Sequence, residues 1–188
     1  MPKMRAARMH AYKQPLRLEE IPIPDIGPAE VLVKVGGAGM CRTDFQLIDG
    51  YFGTDMPLPA TPGHEIAGTV DRIGAAVPAA AGLSEGDPVV VFGPLGDGSC
   101  RQCHRGNEHI CNQGHWIGFG PHGGYQEYVP VAYQQLIKVS GNLSPLSLAP
   151  LTDAGLTPYR GLKKLRGAGV LGPGTTLAVM GIGGLGAY

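Results

Sequence analysis

Three short β-branched runs set the terms for this chain: Val31-Leu32-Val33-Lys34-Val35, Ile66-Ala67-Gly68-Thr69-Val70 and Val89-Val90-Val91-Phe92. Runs of this length, bounded by glycine and proline, read as strands separated by turns. Asp87-Pro88 leads into the third run, and Gly36-Gly37-Ala38-Gly39 is expected to end the first. With 31 Gly and 17 Pro in 188 residues the composition approaches low complexity, but 43% of the chain is hydrophobic and the glycines punctuate rather than repeat. From about Met9 to Val139 the expected architecture is therefore mainly β, a barrel or sandwich, with residues 93–124 as a lobe held by something other than an apolar core.

After Pro145 the period changes. Leu156, Tyr159, Leu162 and Leu165 recur at helical spacing, with Arg160, Lys163, Lys164 and Arg166 on other faces, where they read as a solvated surface favoured by the helix dipole. Gly167 and Gly169 can stop this helix, and Gly172-Pro173-Gly174 turns the chain into Thr175–Met180, by composition a fully buried strand. It runs into Gly181-Ile182-Gly183-Gly184-Leu185-Gly186, a G-x-G-x-x-G pattern whose backbone amides can cradle a dinucleotide pyrophosphate. A length of 188 residues allows one large domain or a domain and part of another, and the strand running into the glycine loop reads as the opening of a second.

Charge narrows the partners. Fifteen basic and fifteen acidic residues give a net charge of zero, which recommends neither nucleic acid nor an anionic membrane, and points to a small neutral or modestly charged substrate. The N-terminal basic residues lack the apolar core of a signal peptide, and the glycine-rich, uncharged stretch from Gly167 to Tyr188 suits turn, strand and loop better than a membrane span. A cytoplasmic location is expected. In such a reducing compartment the four cysteines read as metal ligands rather than disulfide partners.

Cys100-Arg101-Gln102-Cys103, followed by Cys111, is thiolate spacing that lets one short loop wrap a tetrahedral ion. A closed structural zinc site wants a fourth ligand. Asp97 repeats the Cys100-to-Cys103 interval and is the preferred choice, with His104, His109 and His115 as rivals. A second constellation is dispersed: Cys41 in Gly-Met-Cys-Arg-Thr-Asp, His64 in Pro-Gly-His-Glu, and Asp153 in Leu-Thr-Asp-Ala-Gly. Taken one by one, such residues are more often buried or superficial than ligands; only their combination carries weight.

These motifs, in this order, together with Gly86-Asp87-Pro88-Val89-Val90-Val91, Leu151-Thr152-Asp153-Ala154-Gly155-Leu156-Thr157-Pro158-Tyr159 and the glycine loop, resemble the zinc-dependent medium-chain alcohol dehydrogenases of the secondary-alcohol type. The resemblance implies a GroES-like catalytic domain over residues 1–150 and, over 151–188, a linking helix and the first strand of a Rossmann α/β domain, truncated there. It implies that Cys41, His64 and Asp153 hold a catalytic zinc, with Glu65 an occasional alternative ligand, and that Asp97, Cys100, Cys103 and Cys111 hold a structural zinc. Thr43 resembles the hydroxyl that bonds the reacting alcohol, and Asp44 the partner that orients His64. Arg42, Thr157, Gly181, Gly183, Gly184 and Gly186 match positions that approach a nicotinamide cofactor.

The implied activity is reversible hydride transfer between an alcohol and NAD or NADP, with zinc as Lewis acid. Two departures stand out. Gln46 occupies a place where many members carry a relay histidine, and Asp153 and Asp97 supply carboxylates where cysteine is common. The acidic residue that distinguishes NAD from NADP is expected beyond Tyr188, and the 188 residues alone are expected to lack turnover. Phe45, Trp116 and the residues near Phe119 suggest an apolar substrate wall. Thr175–Met180, without strand neighbours, is expected to pair with another copy or a complementary fragment, to pack on the catalytic domain, or to remain disordered; a homo-oligomer is foreseen. A non-catalytic zinc-binding fragment acting through self-association is the alternative; a zinc-free quinone reductase relative conflicts with both metal constellations.

Overall fold

The computed structural model describes residues 2–188. Its centre is a five-stranded antiparallel sheet in the order β8-β3-β4-β5-β9, formed by β3 (Glu30–Gly39), β4 (Glu65–Ile73), β5 (Pro88–Val91), β8 (Tyr128–Ala132) and β9 (Leu136–Lys138). The three apolar runs of the sequence are its three inner strands. Side chains alternate across a strand, so Val31 and Val33, Ile66 and Val70, Val89 and Val91, and Val129 and Val131 all project to one face, where they form a buried cluster. Pro130, which cannot donate to a ladder, sits in β8 at the sheet edge. A separate pair, β1 (Lys3–Arg8) with β2 (Arg17–Pro22), is attached through bridges from Ala6 to Gln126 and from Met9 to Ala60.

The opposite face of the sheet is covered by α2 (Pro145–Leu148), where Ala67, Leu148 and Ala149 pack. Here the structure corrects the expected end of the first strand: β3 runs through Gly36-Gly37-Ala38-Gly39 and stays paired with β4 as far as Gly39 opposite Glu65. The glycines serve close packing instead. A Cβ on Gly36 would stand 2.7 Å from Pro145 Cγ, and one on Gly37 would stand 2.7 Å from the Pro145 carbonyl oxygen. With side chains there, α2 could not lie on the sheet.

The lobe between β5 and β8 carries only the two-residue strands β6 (Pro94–Leu95) and β7 (His115–Trp116) and short 3₁₀ turns, with Cys103 buried within it. Helix α1 (Arg42–Ile48) follows β3 directly, and α3 (Leu156–Gly167) contains Leu156, Tyr159, Leu162 and Leu165 and ends at the first of the two glycines expected to stop it. Lys164 and Arg166 lie in the last turn of α3, near the negative end of its dipole. None of the described helices is long and apolar enough to cross a membrane.

Thr175–Met180, expected as a buried strand, forms no ladder. A strand exists only where its amides and carbonyls find a neighbour, and no other strand lies beside this segment among the described residues. Leu177 and Val179 are exposed and Met180 is 98% exposed. The predicted turn before it is present, with Thr175 N–H donating to the Gly172 carbonyl at 3.1 Å.

His122 gives this fold a pH signature. Burial holds its imidazole below the ordinary value, with Gln126 opposing in part. Because the folded pKa is the lower one, acidification through about 6.5 loads a proton on the unfolded chain that the folded chain refuses, and stability falls there. His122→Gln is expected to narrow the difference between melting temperatures measured near about pH 7.5 and about pH 5.5. An unchanged difference would assign the acid sensitivity to other groups.

Candidate active site

Two segments of opposite character bring Cys41 and His64 together. Cys41 is the N-cap of α1 and leaves β3 in an extended conformation. Asp44, three residues on, returns its Oδ2 to accept the Cys41 N–H at 2.9 Å, closing the first turn. Its Oδ1 accepts the Gly63 N–H at 3.1 Å and lies 3.3 Å from His64 Nδ1, so one buried carboxylate ties both segments. Asp153 arrives from the far side, capping the 3₁₀ turn Ala149–Thr152 before α3. Its Oδ2 lies 3.3 Å from His64 Nε2 and 3.6 Å from Cys41 Sγ.

The donors of Cys41, His64 and Asp153 lie within 4.8 Å of one another, an open three-donor set of thiolate, imidazole and carboxylate. Such a set suits zinc with a place left for a small ligand. Burial pulls the His64 imidazole down, but the Asp153 and Asp44 carboxylates outweigh it and hold the group up at about 10. Asp153 is lowered by the same contact with His64. A cation held by this set would require His64 as the neutral imidazole.

Glu65, also buried, accepts the Ala154 N–H at 3.3 Å and so links β4 to the residue after Asp153. Burial, aided by the Asp153 charge, raises its carboxyl above the ordinary value. Thr43 places Oγ1 3.5 Å from Cys41 Sγ. The Thr157 hydroxyl donates to Asp153 Oδ1 at 3.0 Å, a contact the sequence did not foreshadow.

A cleft of about 1040 Å³ opens over these residues and gathers the predicted cofactor positions: Arg42, Thr157, Gly181, Gly183, Gly184 and Gly186 line it beside Cys41, Thr43, Glu65 and Asp153. Gln46 lines it too. Gly186 approaches the Gly181 carbonyl so closely that no Cβ fits, and Ala187 N–H bonds the Gly183 carbonyl at 3.0 Å in a single helical turn.

A second space of about 580 Å³ lies across Thr43 and Asp153, walled by Phe52, Trp116 and Phe119. Trp116 and Phe119 are where the sequence placed them, whereas Phe45 is not part of the wall. On α1 Asp44 and Leu47 face inward, and Phe45, about 100° round from Asp44, points to solvent. Phe52 takes its place and meets the Phe119 ring edge-on at 5.6 Å.

The lobe forms its own cluster. Asp97, Cys100, Cys103 and Cys111 also place their donors within 4.8 Å of one another, with Cys103 Sγ 3.3 Å from Asp97 Oδ1 and Cys100 Sγ 3.6 Å and 3.8 Å from the other two thiols. His104, His109 and His115 stand outside this set. Hydrogen bonds from Ser99 and Cys100 hold the Asp97 carboxyl well below the carboxylate range, while burial and the Cys100 thiol push Cys103 up to about 12. Three thiols and a carboxylate with little else around them match the donor chemistry of a closed zinc site.

A family model described as alcohol dehydrogenase GroES-like domain matches residues 27–141, more than half of the chain. The chain belongs to this family. An NAD-dependent alcohol dehydrogenase of Sulfurisphaera tokodaii is 39% identical over 188 residues, covering 96% of this chain and 52% of the relative. The crystal structure of an alcohol dehydrogenase from Aeropyrum pernix superposes with a TM-score of 0.85 at 36% identity, covering 97% of this chain and 54% of that one. A cobalt- and zinc-bound thermostable alcohol dehydrogenase from Pyrobaculum aerophilum gives 0.75 at 35% identity, covering 84% and 47%. The chain thus spans about half the length of the curated relatives it matches. Within this GroES-like family member, Tyr125 is the site residue that sequence reasoning missed: its hydroxyl donates to Asp44 Oδ2 at 2.8 Å. Burial and that contact push the phenol far above its ordinary value, so it remains a donor. The only signal was an aromatic residue after Gly123-Gly124.

Proposed function

We propose that this chain carries the catalytic-metal half of a zinc-dependent, NAD- or NADP-linked alcohol dehydrogenase acting on a small primary or secondary alcohol and its aldehyde or ketone. The observation that carries the reading is the meeting of Cys41, His64 and Asp153: Cys41 and Asp153 line the cleft that the glycine loop also lines, and His64 and Asp153 line the aromatic-walled space beside it. Zinc held by these three side chains would supply Lewis acidity at the substrate oxygen. Thr43 stands between the aromatic-walled space and the cleft, so its hydroxyl can accept a hydrogen bond from the alcohol and hold its carbon toward the nicotinamide side. Gln46 cannot titrate, so the proton does not leave through that side chain. Asp44 orients His64, and Phe52, Trp116 and Phe119 offer an apolar wall for the alcohol's carbon end.

Asp97, Cys100, Cys103 and Cys111 hold a second, structural zinc in this reading. Residues 1–150 serve as the catalytic domain, with its lobe at about 93–124, and 151–188 as linking helix and the opening of the cofactor domain. The free thiols suit a reducing cytoplasm. These residues alone offer the adenosine half of a dinucleotide no place to rest, and little turnover is proposed for them in isolation. Exposed Leu177, Val179 and Met180 favour a second reading in which the chain self-associates as a zinc-binding homo-oligomer.

Metal analysis followed by NADH titration tests the proposal. Two zinc ions per chain are expected, with no saturable NADH binding by the dispersed chain. Zinc confined to the lobe would remove the dehydrogenase reading, and saturable NADH binding would mean that association or rearrangement completes a cofactor site.

A further inference from the structure

Tyr125 is fixed before its hydroxyl does anything. Its backbone N–H donates to the Pro62 carbonyl at 3.1 Å and its own carbonyl accepts the Ala7 N–H at 2.8 Å, so the residue is held between the Pro-Gly-His-Glu segment and β1. Its ring lies against Gly63, where a Cβ would stand 2.8 Å from the ring carbon Cδ1. From this anchored position the hydroxyl reaches Asp44 Oδ2 at 2.8 Å, with the Gly39 carbonyl oxygen 3.3 Å away.

Asp44 is 3% exposed, and its other partners belong to the metal-facing segments: the Cys41 N–H, the Gly63 N–H and the His64 ring. Tyr125 is thus the one side-chain hydroxyl that donates to this carboxylate among the described residues, and the one hydrogen bond that ties it to a part of the fold outside those segments. A carboxylate can turn about its bond to the chain. With both oxygens engaged from the Tyr125 side and the backbone side, it presents a fixed edge to His64 Nδ1.

We propose that Tyr125 is a positioning residue for the Cys41–His64–Asp153 site: its phenol locks the Asp44 carboxylate, which in turn sets the orientation of the His64 ring and the placement of Cys41. The inference rests on the metal reading of that site. Outer partners of metal ligands of this kind typically govern about 10–100-fold in metal affinity. Tyr125→Phe removes the hydroxyl and keeps the ring against Gly63, so it isolates the hydrogen bond from the packing.

The test is chelator competition for zinc on the full chain, resolved into cleft and lobe sites, with the absorption spectrum of the cobalt-loaded cleft site as a second readout. Tyr125→Phe is expected to weaken the cleft site by about tenfold and to shift its cobalt bands, while the lobe site keeps its affinity. Because the effect passes through Asp44, it is expected to vanish when Tyr125→Phe is introduced into an Asp44→Asn chain. A cleft affinity within about twofold of the parent chain, equal weakening of both sites, or an undiminished effect in the Asp44→Asn background would overturn the proposal. Parent chain that takes zinc in the lobe alone would overturn the metal reading itself, and this is seen before any variant is made.

Discussion

His64→Ala is expected to reduce the zinc content of the dialysed chain from two per molecule to one, with the lobe ion retained. The site offers three donors, and His64 is the central one, 3.3 Å from Asp153 Oδ2 through Nε2 and the same distance from Asp44 Oδ1 through Nδ1. Without it, Cys41 and Asp153 remain as two ligands on separate segments, and buried Asp44 faces a gap. Loss of an outer partner alone costs about 10–100-fold in metal affinity, so loss of the ligand should exceed about 100-fold. Any hydride transfer that depends on the cleft metal should fall with it. The lobe serves as internal control because Asp97, Cys100, Cys103 and Cys111 share no residue with the cleft. A variant that keeps two zinc ions would show that the cleft ion is held by other donors, Glu65 foremost, and the ligand assignment would fall.

Gly63→Ala should be among the most damaging single-methyl changes in the chain. Gly63 has φ of +96°, in the left-handed region that a side chain rarely adopts. An added Cβ would also stand 2.8 Å from the Tyr125 ring, which is held by backbone bonds and cannot easily withdraw. Backbone strain of roughly 1–3 kcal/mol combines with overpacking of similar size. A loss of about 3 kcal/mol corresponds, in a chain of this length, to a melting temperature lower by roughly 6–12 °C. Thermal unfolding of the zinc-loaded variant measures it directly. A shift below about 2 °C would mean that this turn relaxes at little cost, and the rigid support assigned to His64 would be lost with it.

The two candidate metal clusters differ in how much of them could be read in advance. Asp97, Cys100, Cys103 and Cys111 lie within one loop, so chain spacing itself limits how far apart their donors can be, and the interval that favoured Asp97 is matched by its 3.3 Å approach to Cys103. Cys41, His64 and Asp153 come from three segments, the last two separated by 89 residues, and no local rule brings them together. Their grouping was legible through the resemblance of whole motifs. The inner strands were legible because β-branched runs alternate in and out of a sheet, and α3 because its leucines follow the helical period.

Other features depended on packing between distant parts. Gly36 and Gly37 looked like a strand end and are a strand interior, because the reason for glycine is the approach of Pro145, more than 100 residues away. Phe45 looked like a pocket wall and faces solvent, because the turn fixed by Asp44 aims the next side chain outward. Thr175–Met180 has strand composition and no strand pairing, because pairing is a property of two segments. Sequence alone determined the period of the elements, the lobe's ligand spacing and the chemical types available to a site. The tertiary structure decided which of those groups meet: the carboxylate of Asp44 became the hub for Cys41, His64 and Tyr125 because three loops converge on it, and convergence depends on the path of the chain in space rather than on distance along it.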